Sequence, residues 1–145
     1  MLDRSAIAAR IPHHGDMCLL DAVVAWDSSS IRCTASSHRH GDNPLREGGR
    51  LGVAAGIEYA AQAMAVHGGL VTADGQPPRQ GYLASVRGVR FHTLRLDDQG
   101  ADLQIEAERL SGDARQVLYR FSVSAAGKAL LDGRAAVILD AEGLQ

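Results

Sequence analysis

The chain has 145 residues, 46% of them hydrophobic, enough for one sizeable core and too few for two, so a single domain over 1–145 is expected. Its 15 basic and 17 acidic side chains give a formal charge of -2 and are spread along the whole sequence, which argues against a nucleic-acid partner. No run approaches the roughly 18 apolar residues of a membrane span, and Cys18 and Cys33 lack CxxC spacing or further thiols, so a cytoplasmic protein with reduced core cysteines is expected.

Residues 3–9, Asp-Arg-Ser-Ala-Ile-Ala-Ala, suit one or two helical turns begun by a polar cap and stopped by Pro12. Two strands are predicted next, CLLDAVVAW over 18–26 and IRCTASS over 31–37, around the polar turn Asp27 to Ser30. Residues 38–52 are rich in His, Gly and charge and read as irregular. The stretch VAAGIEYAAQAMAVHGG, 53–69, is the one long helix: alanine favours it, the Gly68-Gly69 pair can close it, and apolar residues occupy nearly every face. Gly56 inside it costs about 1 kcal/mol relative to alanine, which predicts close packing at that position.

A Gly- and Pro-rich loop, Asp74 to Arg79, precedes the strand GYLASVRGVRF, and turns near Gly100, Gly112 and Gly127 divide three more strands. Leu103, Ile105 and Ala107 alternate with polar residues, as do Val117, Tyr119, Phe121 and Val123, the pattern of half-buried antiparallel strands. Repeating strand-helix-strand units are missing. The order therefore predicts an α+β fold, a curved antiparallel sheet wrapped around one long central helix.

Almost the only polar groups on that helix are Glu58, Tyr59, Gln62 and His67. Glu58 and Gln62 stand four apart, on one face. A carboxylate among apolar neighbours is costly unless it is paired, hydrogen-bonded or used, so Glu58 suits a general acid or base, with a cap at a subunit seam as the alternative. The N–H groups around Gly52 to Ala55, ahead of the helix, are candidate donors to a carbonyl oxygen. The histidines lack metal-ligand spacing, and no metal site is expected. His67 reads as a partner of the helix dipole and His92 as exposed at a strand end. His13 falls in a loop between the first helix and first strand, where it would be held firmly.

Three segments together resemble the 3-hydroxyacyl-(acyl carrier protein) dehydratases of hotdog fold, most closely their aryl-polyene-type branch: IPHHGDMCLLDAVV, GIEYAAQAMA and GYLASVRGVRF. The resemblance implies a dimer, homomeric or formed with a paralogous hotdog subunit, whose helices lie side by side. It also implies an interface pocket for an acyl thioester of acyl carrier protein or coenzyme A, with no cofactor beyond the phosphopantetheine arm that the substrate carries. Glu58 corresponds to the family's catalytic acid and Gln62 to its helix glutamine; Gln62, Leu83 and Ala84 are implied as substrate-binding. In the family reaction a histidine removes the proton beside the thioester carbonyl, while the acid helps the 3-hydroxyl leave as water. The family histidine precedes the acid in a His-Phe-Pro segment, and the matching place here reads Asn43-Pro44-Leu45. His13, which matches the family's N-terminal Pro-His, is favoured as base over His40, with His14 as a further candidate.

Two other functions fit the same features. One is a hotdog thioesterase in which Glu58 activates water. The other is a non-catalytic subunit that binds an acidic carrier protein, with Arg87, Arg90 and Arg95 as candidate basic contacts, although those arginines read more readily as a solvated strand face.

Overall fold

The fold is described from a computed structural model that covers residues 1–11, 17–71 and 81–139. His13, His14 and the loop from Asp74 to Arg79 lie outside these residues. The Asp3 carboxylate opens α1 (Arg4–Ala8) by accepting the Ala6 N–H at 2.9 Å, and Ile7 is the residue this short helix buries. Next come β1 (Ala22–Trp26) and β2 (Ser30–Ala35), joined by a turn in which Asp27 Oδ1 accepts the Ser29 and Ser30 N–H groups at 2.9 and 2.8 Å.

β1 starts four residues later than the apolar run at 18–26 predicts. The main chain at Met17 and Leu19 is bound by a helix side chain, Gln62, instead of by a neighbouring strand. The central helix α2 (Gly56–Leu70) is entered through a 3-10 turn at Val53–Ala55, so the predicted helical stretch divides into two geometries.

The remaining strands are β3 (Gly81–Phe91), β4 (Leu103–Gly112), β5 (Gln116–Ala125) and β6 (Lys128–Leu139). The six strands of the described residues form one antiparallel sheet in the order β1-β2-β4-β5-β6-β3. Period-two alternation gives the sheet an apolar inner face, in which Cys33, Ile105, Val123 and Leu131 stand side by side across four strands, all buried. α2 packs on this face. An added Cβ at Gly56 would lie 2.5 Å from Leu131 Cδ2, so glycine sets how closely the helix approaches β6.

His67, at the far end of α2, is fully buried and does not serve as a charged dipole partner. Its Nε2 lies 2.9 Å from the Asp27 carbonyl and its Nδ1 2.8 Å from the Tyr119 hydroxyl. A carbonyl only accepts, so Nε2 carries the proton and Nδ1 accepts from Tyr119. Burial holds the His67 pKa below its ordinary value and pushes the Tyr119 phenol up to about 12. Cys18 and Cys33 are free and buried, as the composition predicts, and desolvation raises the Cys33 thiol to about 12, leaving it unreactive.

Candidate active site

Glu58 sits in the first turn of α2, half-buried, one helical turn from Gln62. Gln62 is buried and both ends of its amide are engaged: Oε1 accepts the Leu19 N–H at 2.9 Å and Nε2 donates to the Met17 carbonyl at 2.6 Å. The helix face that carries the acid therefore also clamps residues 17–19, the chain that follows His13 in the sequence.

Tyr59, the next residue on α2, anchors a second buried set of bonds whose directions follow from donor inventory. The Ser37 hydroxyl donates to the Leu19 carbonyl at 2.8 Å, so the Tyr59 hydroxyl, 2.7 Å away, must donate to Ser37 Oγ. Asn43 Nδ2 then donates to Tyr59 Oη at 3.0 Å and to the Ser37 carbonyl at 2.9 Å, while its Oδ1 accepts the Leu45 N–H at 2.8 Å. Asn43, which the sequence resemblance sets at the place of a histidine, is thus a buried structural residue. Burial, only partly offset by these hydrogen bonds, raises the Tyr59 pKa.

Of the histidines before α2, His40 is exposed, and His38 is buried with Nε2 between the Gln99 and Ala101 carbonyls at 3.1 and 3.0 Å. His38 Nδ1 has no hydrogen-bond partner among the described residues, and desolvation lowers the pKa of the ring. His92 is exposed, as predicted, and bonds Asp132 Oδ2 at 2.8 Å. The described residues contain no cluster of His, Cys, Asp or Glu fit to hold a metal ion, and no helix among them is long and apolar enough to cross a membrane.

The entry to α2 is held by the loop after β3. The Val53 N–H donates to the Leu94 carbonyl at 3.1 Å and the Leu96 N–H to the Leu51 carbonyl at 2.7 Å. Asp97 accepts the Leu51 N–H at 3.0 Å and pairs with Arg95, which holds its carboxyl well below the usual carboxylate range. Of the four candidate N–H donors ahead of the helix, Val53 is taken by Leu94 and Ala55 by the Gly52 carbonyl. Among the described residues the N–H groups of Gly52 and Ala54 remain, and both residues are exposed.

Phe91, in the segment GYLASVRGVRF, is 49% exposed, and Leu94, which no sequence signal marks, is 89% exposed. Phe91 pairs with Leu131, the residue against Gly56, so these apolar side chains belong to the same end of the molecule as Glu58. Hydrophobicity and spacing give no sign of this; only the loop register does. Leu83 faces the inner side of β3 opposite Val137, and Ala84 is the extra residue of a β-bulge between Leu83 and Ser85. Both are exposed. Of the three arginines singled out from the sequence, Arg95 is paired with Asp97 and Arg90 with Asp132, while Arg87 stands opposite Arg134.

Residues 5–143 match the model of a family described as ApeP-like, ApeP dehydratase. A similar solved structure is the dehydratase heterocomplex ApeI:P from Xenorhabdus doucetiae, 26% identical, with a TM-score of 0.79 over 98% of this chain and 93% of that one. A thioesterase from Haemophilus influenzae shares the fold at 10% identity and a TM-score of 0.69, over 97% of this chain and 92% of that one. A hypothetical thioesterase from Streptococcus pneumoniae, solved with coenzyme A, is also 10% identical, with a TM-score of 0.60 over 82% and 84%. The curated proteins gave no match. The architecture is a hotdog, a single sheet wrapped on one long helix.

Proposed function

The chain belongs to the ApeP-like family of dehydratases, and from that premise we propose that it removes water from 3-hydroxyacyl thioesters carried on acyl carrier protein, in aryl-polyene- or fatty-acid-type synthesis. One observation carries the reading: Glu58 projects half-buried from the first turn of an apolar helix, above a glutamine that fixes the neighbouring chain. In this reading Glu58 is the general acid that protonates the departing 3-hydroxyl. His13 is the base that takes the proton beside the carbonyl. The N–H groups of Gly52 and Ala54 face the developing charge on the thioester oxygen.

Leu83 and Ala84 line the acyl chain. Gln62 contributes by fixing the wall of the site through Met17 and Leu19, since its amide is already engaged. A second hotdog subunit completes the pocket, a reading supported by the heterocomplex of the similar Xenorhabdus dehydratase. The buried Asn43 in place of the family histidine favours His13, or a residue of that second subunit, as the base.

Mass spectrometry of a 3-hydroxyacyl carrier protein incubated with the enzyme, alone and with a companion subunit, tests the reaction. Loss of one water with the thioester intact is expected. Free carrier thiol with no water loss would reject the dehydratase and favour the thioesterase, in which Glu58 activates water instead. His13→Ala should lower turnover by about 10² or more, while His40→Ala should leave it unchanged; the reverse order would move the base to His40.

A further inference from the structure

The outer face of the sheet, on the side away from α2, carries an arrangement that the reaction does not use. Glu108, Arg120, Arg134 and Arg87 are directly opposite one another across β4, β5, β6 and β3, three arginines in one row. Like charges at cross-strand positions are unfavourable unless something neutralises them. Arg120 is held by Glu108 at 2.9 Å, but Arg134 and Arg87 have no carboxylate partner among the described residues. The other nearby acids are engaged: Glu106 binds Arg32 at 2.9 Å, and Asp132 takes both Arg90 and His92. Two positive charges are left over at the β3 side of the face.

Directly beside this row the same face is apolar. Tyr82, Leu118 and Ile138 are 51%, 40% and 43% exposed, with Tyr82 opposite Ile138 and Leu118 two residues before Arg120. Large aliphatic and aromatic side chains next to arginine are the composition of a protein interface. Access to the guanidinium of Arg134 is open. Gly88 has a φ of +60°, and the nearest neighbour of a Cβ built there would be Arg134 Nη2 at 3.8 Å, so no side chain covers it from β3. A cavity of about 720 Å³ flanks the row, lined by Gly88, Arg120, Gly133 and Arg134 among others.

We propose that this outer face, centred on Arg134 and Arg87 with Tyr82, Leu118 and Ile138 beside them, docks the acidic surface of the carrier protein. Charge complementarity selects the occupant. A second copy stacked here would set two arginine rows close together, whereas an acidic surface with an apolar centre satisfies both halves of the patch. The identity of the partner rests on the proposed function, which brings an acyl carrier protein to this chain. Docking on this side separates recognition of the protein from chemistry on its arm, because β3 borders the sheet and shows Arg87 on one face and Leu83 on the other.

The test is binding of purified holo-acyl carrier protein to the full chain by calorimetry, with dehydration of a 3-hydroxyacyl pantetheine thioester, which has no carrier, measured in parallel. Arg134→Glu and Arg87→Glu should each weaken carrier binding at least about tenfold, and Lys128→Glu, an exposed control at the start of β6, should not. All three variants should process the pantetheine thioester at the unsubstituted rate. Carrier binding that is absent, unchanged by both arginine reversals, or equally weakened by Lys128→Glu overturns the docking face. Arginine-dependent binding without dehydration of either substrate would uphold the face and overturn the reaction.

Discussion

Tyr59 joins three stretches of chain that are far apart in sequence: α2, the turn at Ser37 and the loop at Asn43. Replacing it with Phe keeps the ring and removes one hydroxyl, leaving Asn43 Nδ2 and Ser37 Oγ each short of one buried partner. The expected cost is about 1–3 kcal/mol, read from the midpoint of denaturant unfolding; an unchanged midpoint would mean that the network relaxes without loss. Gln62→Leu removes two bonds to the main chain at once and should loosen residues 17–19, detected as faster amide exchange at Leu19. The Glu58–Gln62 pair was legible in the sequence because helical spacing alone puts both on one face. The Asn43–Tyr59–Ser37 set was not, since each bond joins residues that no local period relates.

At the level of elements, the approach of α2 to the sheet is governed by Gly56. Alanine there gains about 1 kcal/mol of helix propensity, but its methyl meets fully buried Leu131, where overpacking costs about 1–3 kcal/mol. Net destabilisation is expected for Gly56→Ala in thermal unfolding, and the penalty should shrink when Leu131 is also changed to Val; equal penalties in both backgrounds would contradict the contact. The strands from 81 onward and the position of the helix were readable because alternation and apolar content are local signals. The start of β1 was not. The run Cys18-Leu19-Leu20-Asp21 is apolar enough for a strand, yet side chains take the main chain of Leu19: Gln62, 43 residues on, accepts its N–H and the Ser37 hydroxyl donates to its carbonyl. Likewise the 3-10 entry to α2 follows from the loop after β3, whose Leu94 carbonyl accepts the Val53 N–H.

For the molecule as a whole, pH acts through two buried imidazoles. His38 and His67 both have pKa values held below the ordinary value of 6.5, chiefly by desolvation. Below pH about 6.5 the unfolded chain binds protons that the folded chain refuses, so stability is full above that pH and declines as pH falls beneath it. Unfolding midpoints at pH 7.5 and pH 5 should differ in that sense, and His67→Gln should narrow the difference; a midpoint that rises on acidification would contradict the neutral burial of these rings. In the proposed reaction the half-buried acid on the helix does the proton transfer of dehydration. The most direct measurement is the rate of water loss from a 3-hydroxyacyl carrier protein by Glu58→Gln, with folding verified by its melting curve. A fall of at least about 10² relative to the unsubstituted chain is predicted, and turnover at the unsubstituted rate by a folded Glu58→Gln protein would contradict it.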